Sequence, residues 1–451
     1  MSKEKNKSNL ITPGFVVPFA LVTSLYFLWA LPSTMNDVLI KQFMKSLEVS
    51  LTQVGFVLFA YKIGYFCLAL PAGMFMQKKG YKAGILLGLT IFALGCFLFY
   101  PAAMSQQYLF FLCAIFVIGG GLSFTEIGAS GYVLNLGDPA SSERRMNLAQ
   151  SFNPIGSIFG VTAGTLFIFS GNEPTPVEIT AMKETGAYEP FLKEEALRVF
   201  PPYLVIGLLV LAVAFFIRKA KFPKIEVEAD SKKGEKGSLR ALLKCKHWYG
   251  AVFSQFFYLG AQLGTWGYLI TFIQQNSDLK EKAAGGFLIA NMFIFMFGRF
   301  FATWLMKYVK PVRLMGIYAL INIVLVGISV LCSGWANTRF GIEWNTRLLP
   351  VPFTDFSVPF GVYTLIATSF FMSLMYPTNF ASGVKNLGQN TKLGSSILIM
   401  SMIGGALLSL LMGRIADTGW ANGQIAAAMI VPVISYGVIC WYAFRGAKDR
   451  G

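Results

Sequence analysis

The sequence has one histidine, His247, and only 13% of its 451 residues are charged, against roughly 25% in an ordinary soluble domain. A lone histidine at the end of an apolar run cannot build a histidine-based metalloprotease or haem site. Cysteine is sparse as well. Cys67, Cys96, Cys113, Cys332 and Cys440 fall in apolar runs and Cys245 in a basic segment, with no CxxC pair among them. They read as small apolar residues, not as disulfides or metal ligands. No G-x-x-x-x-G-K-[ST] phosphate loop occurs, so direct ATP-driven work by this chain is not expected. Gly119-Gly120-Gly121 lies in an apolar run and reads as packing. No nucleophile constellation appears either. No enzyme activity, cofactor or metal is therefore expected.

What the chain has instead is apolar length. It is 55% hydrophobic, and apolar stretches recur from Phe15 to Phe444. A helix crossing the hydrocarbon layer needs about 20 such residues. Spans are read at about 15–40, 52–76, 83–104, 107–135, 148–170, 201–217, 248–274, 284–306, 314–333, 357–383, 393–413 and 424–444. The net charge of +16 would suit nucleic acid if it were clustered on a soluble face. It lies between the spans instead. With the N-terminus inside, inner segments hold 26 of the 38 Lys and Arg and outer segments 10. That asymmetry predicts cytoplasmic termini and no nucleic-acid partner. The polar, basic start, with no A-x-A-like site after the first span, predicts an uncleaved anchor.

The longest inner segment, Arg218 to Lys246, carries ten basic and four acidic residues. It divides six spans from six. The expected organisation is a first bundle over 1–217, a cytoplasmic linker over 218–247 and a second bundle over 248–451. Short basic hairpins recur between the second and third helix of each half: Gln77–Lys82, and Lys307, Lys310 and Arg313. Such repeats are common in secondary transporters. Gly156, Gly160 and Gly164 recur every four residues on span five, and Gly404 and Gly405 lie on span eleven. Small residues so spaced allow close helix approach. The outer segments Gly171–Val199 and Gly334–Phe356 are read as plain loops.

Ionisable groups inside a bilayer are costly, so each is a functional candidate. Of 22 carboxylates, twenty fall in loops or at span ends, and only Asp37 and Glu126 lie within spans. Asp37 is 22 residues past Phe15 on a span running outward, and Glu126 is 19 residues past Gln107 on one running inward. Asp37 is thus in the outer part and Glu126 in the middle or inner part. Desolvation disfavours an ionised carboxylate, and two such groups at different depths can load a proton on one side and release it on the other. The competing reading is internal ion pairing. Lys62 on span two could neutralise Asp37, which would hold that acid ionised and hinder proton pickup, or it could snorkel to an interface. Arg299 on span eight could anchor to carbonyls or to an inner loop. Neutral polar residues also enter the spans: Gln150 and Asn153 on span five, Gln255, Gln262, Trp266 and Tyr268 on span seven, Asn291 on span eight, and Tyr376 and Asn379 on span ten. Amides beside aromatics suit a sugar, whose hydroxyls need donors and acceptors and whose C–H face packs on a ring. Each alone also serves as helix glue.

Several blocks then carry a resemblance over nearly the whole chain. They are Met35-Asn36-Asp37-Val38-Leu39-Ile40, Leu70-Pro71-Ala72-Gly73 with Tyr81-Lys82-Ala83-Gly84, and Asn147-Leu148-Ala149-Gln150-Ser151-Phe152-Asn153. The second half adds Gly260-Ala261-Gln262, Tyr376-Pro377-Thr378, Lys385-Asn386-Leu387-Gly388-Gln389, and Thr391-Lys392 with Gly394-Ser395-Ser396. The chain resembles the L-fucose–proton symporter family of the major facilitator superfamily. The resemblance implies an all-α membrane protein of twelve helices in two six-helix bundles that rock about a central sugar site. It implies proton coupling by the carboxylates at Asp37 and Glu126, and cavity positions at Gln150 and Asn153. Gln262, Trp266, Asn291, Tyr376 and Asn379 complete the expected substrate-binding set. A monomer in the cell inner membrane is expected, with a sugar, a proton and the lipid bilayer as its partners. A sodium-coupled or uncoupled carrier for glucose, galactose or an amino sugar is the alternative. The chain departs from the family at Gln77, where the superfamily usually has an acid, at Lys62, where an aromatic or apolar residue is expected, and in Thr125–Gly131 around Glu126.

Overall fold

The computed structural model describes residues 10–49, 51–168, 176–222, 239–277, 279, 281–341, 348–350 and 357–446. Side chains are not described at Asn36, Asp37, Val38, Ile40, Lys41, Met44, Lys45, 51–55, Leu58, Thr165, Pro176, 281–283, Phe340 and 348–350. Nine helices among the described residues are long and apolar enough to cross a membrane. One of these, Leu51–Phe97, breaks at Gly80 (φ 83°, ψ 167°) into spans two and three. Positive φ costs glycine little because it has no Cβ. Span five (Ser142–Gln150 and Asn153–Phe167) and span seven (Lys246–Gly267) complete a twelve-helix architecture. These two fall short of the nine in length or hydropathy because they carry the polar residues singled out above. Span five opens with Ser142-Glu143-Arg144-Arg145, and span seven holds His247, Gln255 and Gln262.

The chain forms two compact units. One comprises Met1–Pro139 and Phe152–Ala229, the other Ala140–Ser151 and Asp230–Gly451. The first half of span five therefore groups with the second unit, a difference from a simple division at the midpoint. Its anchors explain why. Asn147 Nδ2 donates to Thr303 Oγ1 at 2.6 Å and to the Arg299 carbonyl at 2.9 Å, and Lys385 Nζ lies 3.5 Å from buried Glu143. Of the expected linker, residues 223–238 lie outside the described residues.

Within the first unit, Gly156 and Gly160 rest against Phe27, Ala30, Leu31 and Thr34 of span one, where a Cβ would strike backbone or side chain. Gly119 and Gly121 likewise meet the backbones of Tyr61 and Phe92. In the second unit Gly404 meets Phe256 and Gly405 meets Leu263 on span seven. The outer segment read as plain loop, 171–199, contains two helices, Pro176–Thr185 and Tyr188–Leu197. The second docks through buried Leu192, Glu195 and Ala196. Gln42 of span one donates its amide to the Glu195 carbonyl at 2.8 Å and to its carboxylate at 3.0 Å, so an acid counted as a loop charge is tied to a helix. The second outer loop holds a helix, Gly334–Phe340, and a two-stranded antiparallel pairing of Leu348–Pro350 with Ser357–Pro359.

Candidate functional site

In the first unit the chemistry gathers around Glu126. It lies inside span four (Tyr108–Asn135) and is 3% exposed. The glycine run 119–121 brings the backbones of spans two and three against span four, and Tyr65 of span two then reaches the carboxylate. Its hydroxyl donates to Glu126 Oε2 at 2.5 Å. A phenol both donates and accepts, so this contact can persist whether the acid is ionised or protonated. One turn earlier on span two, the Tyr61 hydroxyl is 2.5 Å from Ser33 Oγ of span one. Tyr26 of span one is 3.1 Å from Ser130 Oγ of span four. Asn153 Nδ2 donates to the Tyr26 carbonyl at 3.2 Å, tying span five to span one. Asp37 lies on the first helix, Val16–Ser46, but its side chain is outside the described residues. Lys62 Nζ sits 5.5 Å from the centroid of the Tyr61 ring.

In the second unit a stripe on span eight (Glu281–Leu305) orders the remaining candidates: Asn291, Phe295, Arg299 and Thr303, four residues apart. Such spacing keeps side chains on one helix face. Asn291, 1% exposed, accepts from Ser369 Oγ at 2.6 Å, and Ser369 Oγ accepts from Trp266 Nε1 at 2.9 Å. The Trp266 ring meets Phe295 edge to face, with centroids 5.0 Å apart. Arg299 lies 4.6 Å from the Phe295 centroid and is 4% exposed. Its Nε donates to the Ser373 carbonyl at 3.0 Å and its Nη1 to the Gln150 carbonyl at 2.5 Å. Both acceptors share one cause. Each stands four residues before a proline, Pro377 and Pro154, and proline has no N–H to make the helical bond back to that carbonyl. The anchoring of Arg299 on carbonyls is thus a consequence of two prolines.

The other expected binding residues distribute as follows. Gln262 is half-buried, one turn before Trp266. Gln150 Nε2 and Asn291 Nδ2 are buried with no hydrogen-bond partner among the described residues. Asn379 is fully buried, and both its amide atoms lack such a partner. Tyr376 lies 6.3 Å from the Tyr258 ring, and its hydroxyl points at Met402 Sδ, 3.8 Å away. The structure thus joins Gln150, Trp266, Asn291 and Arg299 in one network. Asn153 belongs to the first unit, and Asn379 is enclosed by helices. Reading the sequence missed Tyr65, Ser369 and Phe295. The four-residue spacings Tyr61–Tyr65 and Asn291–Phe295–Arg299 were the available signals. Ser369 offered none, being one of many small residues in an apolar helix. A cleft lined by Phe56, Phe59, Ile63, Leu112 and Phe116 presents only apolar surface and cannot recognise hydroxyls.

The family model of the Major Facilitator Superfamily matches residues 22–345. The chain is 36% identical over 434 residues to the L-fucose-proton symporter of Escherichia coli (strain K12), covering 95% of this chain and 93% of that one. It is 29% identical to a glucose/galactose transporter of Brucella abortus biovar 1 (strain 9-941), covering 96% and 95%. The crystal structure of the Major Facilitator Superfamily transporter FucP in the outward conformation superposes with a TM-score of 0.80 at 35% identity, covering 95% of this chain and 98% of that one. With this coverage and identity joined to the twelve-helix fold, the chain belongs to the Major Facilitator Superfamily and, within it, to the L-fucose–proton symporter family.

Proposed function

We propose that this chain is a secondary active transporter that imports a monosaccharide, L-fucose or a related hexose, together with a proton by alternating access. It works as a monomer in the inner membrane with both termini cytoplasmic. The observation that carries the reading is Glu126, a carboxylate buried inside span four and held by the Tyr65 hydroxyl. An ionisable group buried inside a membrane span is a candidate proton carrier by default. Tyr65 holds the side chain in place through both protonation states. Asp37, nearer the outer end of span one, meets external protons first.

On the sugar side, Trp266 offers a ring face fixed by Ser369 and Phe295, and Gln262 brings an amide one turn away on the same helix face. Gln150 and Asn291 each keep a buried amide donor with no partner among the described residues, and Asn153, Tyr376 and Asn379 are further candidate binding residues. The relatives include an L-fucose-proton symporter and glucose/galactose transporters, so these three sugars form the core of the test. The experiment is uptake into proteoliposomes from a sugar panel, with and without an imposed pH gradient. Accumulation of one sugar only when the gradient is inward supports the reading. Accumulation driven equally by sodium with no pH gradient overturns its coupling.

A further inference from the structure

Phe295, 2% exposed, stands one turn before Arg299 on span eight and touches two partners at once. Trp266 meets its ring edge to face with centroids 5.0 Å apart, and the Arg299 guanidinium carbon lies over the ring, 4.6 Å from its centre. Both contacts depend on the tilt of that one ring, because aromatic pairs and cation–π pairs each prefer particular geometries. The same guanidinium donates to the Ser373 carbonyl and to the carbonyl of Gln150, the last helical residue in the first half of span five. Neither carbonyl has a helical N–H to fall back on, since Pro377 and Pro154 stand four residues further on. Asn147 fastens the same half-helix to Thr303 and to the Arg299 backbone. All these contacts lie inside the second unit, and the chain leaves that unit for the first at Phe152, two residues past Gln150. What holds Gln150 therefore holds the point of crossing.

We propose that Arg299 is a positioning residue that couples sugar at Trp266 to the grip on span five, with Phe295 as the link between them. The inference rests on the sugar-binding reading above and adds the regulation of that site. The half-buried Trp266 offers a sugar one face while its indole N–H stays on Ser369. A sugar stacked on that face fixes the plane of the indole. The indole fixes the tilt of Phe295, and a fixed Phe295 keeps the guanidinium aimed at both carbonyls. With the face empty, the indole is held by its one hydrogen bond, and Phe295 and Arg299 lose part of that restraint. A ligand shifts an equilibrium only by its difference in affinity for the two states. The two states here are Arg299 seated on Gln150 and Arg299 off it, and the sugar binds the seated state more tightly. Linkage makes the effect reciprocal: what loosens Arg299 weakens sugar binding, although Arg299 is 4% exposed and holds backbone carbonyls. Adjacency alone does not establish coupling, and coupling is what the experiment measures.

The experiment is equilibrium binding of labelled L-fucose, D-glucose and D-galactose to the full chain in lipid nanodiscs, continued with a sugar that wild type binds. Arg299→Lys keeps the charge but has no planar fork for two acceptors. It should weaken binding by about three- to tenfold, the size of one aromatic contact, and Phe295→Leu should do the same. The two together should be hardly weaker than either alone, because they cut one line. Arg299→Lys should keep its full effect on top of Gln262→Ala, whose contact with the sugar is separate. A general loosening of the fold would add in both backgrounds. Should Arg299→Lys not fold, Asn147→Ala loosens the same half-helix with the guanidinium intact and takes its place in the same cycle. Wild-type affinity in the variant, or an equal loss in both backgrounds, overturns the inference and leaves the sugar site standing. If wild type binds none of the three sugars, the sugar reading itself has failed and this inference falls with it.

Discussion

Asn291 commits its carbonyl oxygen to Ser369, and Ser369 in turn accepts the Trp266 indole N–H. One hydroxyl therefore sets the orientation of both a ring and an amide. Ser369→Ala leaves the buried Asn291 carbonyl without its partner, at about 1–3 kcal/mol, and frees the half-buried Trp266 N–H. The expected outcome is a clear fall in thermal stability in detergent together with weaker sugar binding. An unchanged melting temperature would show that the relay does not form. Gln262 has a lighter role, since it is only half-buried. Losing one neutral hydrogen bond costs roughly 0.5–1.5 kcal/mol, so Gln262→Ala should weaken affinity by about tenfold or less. Wild-type affinity in alanine variants of Gln150, Asn153, Gln262 and Trp266 alike would remove this site. At this scale the sequence shows which amides and rings enter the spans, because polarity inside apolar runs is visible. It does not show that Asn153 is engaged with the Tyr26 carbonyl or that Asn379 is fully enclosed. Those depend on which helix packs alongside.

At the scale of the element, Arg299 is legible in hindsight from three places at once. Prolines at 154 and 377 free the carbonyls of Gln150 and Ser373, and one guanidinium on span eight takes both. Its planar fork can serve two acceptors in fixed directions, and a lysine ammonium is no substitute for it at such a site. Arg299→Met should destabilise the protein strongly, since hydrogen bonds to charged groups contribute about 1.5–3 kcal/mol each. Pro377→Ala offers a specific rescue. It supplies an N–H for the Ser373 carbonyl, so it should recover part of the loss in the Arg299→Met background and little or nothing in wild type. Additive melting shifts in the double-mutant cycle would count against the shared cause. The break in span five, and that in span ten between Phe360–Met372 and Met375–Val384, lie close before these prolines, and hydropathy alone passes over them because the flanking residues remain apolar. The outer helices Pro176–Thr185 and Tyr188–Leu197 were hidden for the opposite reason. The six glutamates and three basic residues between 171 and 199 resemble solvated loop, and what fixes the second helix is a long-range contact to Gln42.

At the scale of the molecule, apolar length made the twelve spans legible, because the bilayer imposes a minimum length on each, and the asymmetry of basic residues predicts their orientation. That orientation predicts that a cysteine placed at Ser231, which lies outside the described residues, stays unlabelled by an impermeant reagent applied to intact cells. Labelling from outside would reverse the topology. The same expected orientation orders the two acids of the proposal, Asp37 toward the outside and Glu126 deeper. Transport with a proton gradient needs both protonation and deprotonation in each cycle, whereas exchange of sugar for sugar needs only the loaded carrier to cross in both directions. Asn at position 37 and Gln at position 126 each mimic the protonated acid permanently. Gln also keeps a carbonyl oxygen that can accept from the Tyr65 hydroxyl, so the geometry around position 126 is retained. Both variants should therefore lose gradient-driven accumulation and keep counterflow, with sugar affinity altered more in Glu126→Gln than in Asp37→Asn. Paired uptake and counterflow across a pH series separate the two activities in one preparation. Loss of counterflow along with uptake would assign these acids to folding or sugar binding. Undiminished accumulation in both variants would remove the carboxylates from coupling and, with them, the case for proton symport in this chain.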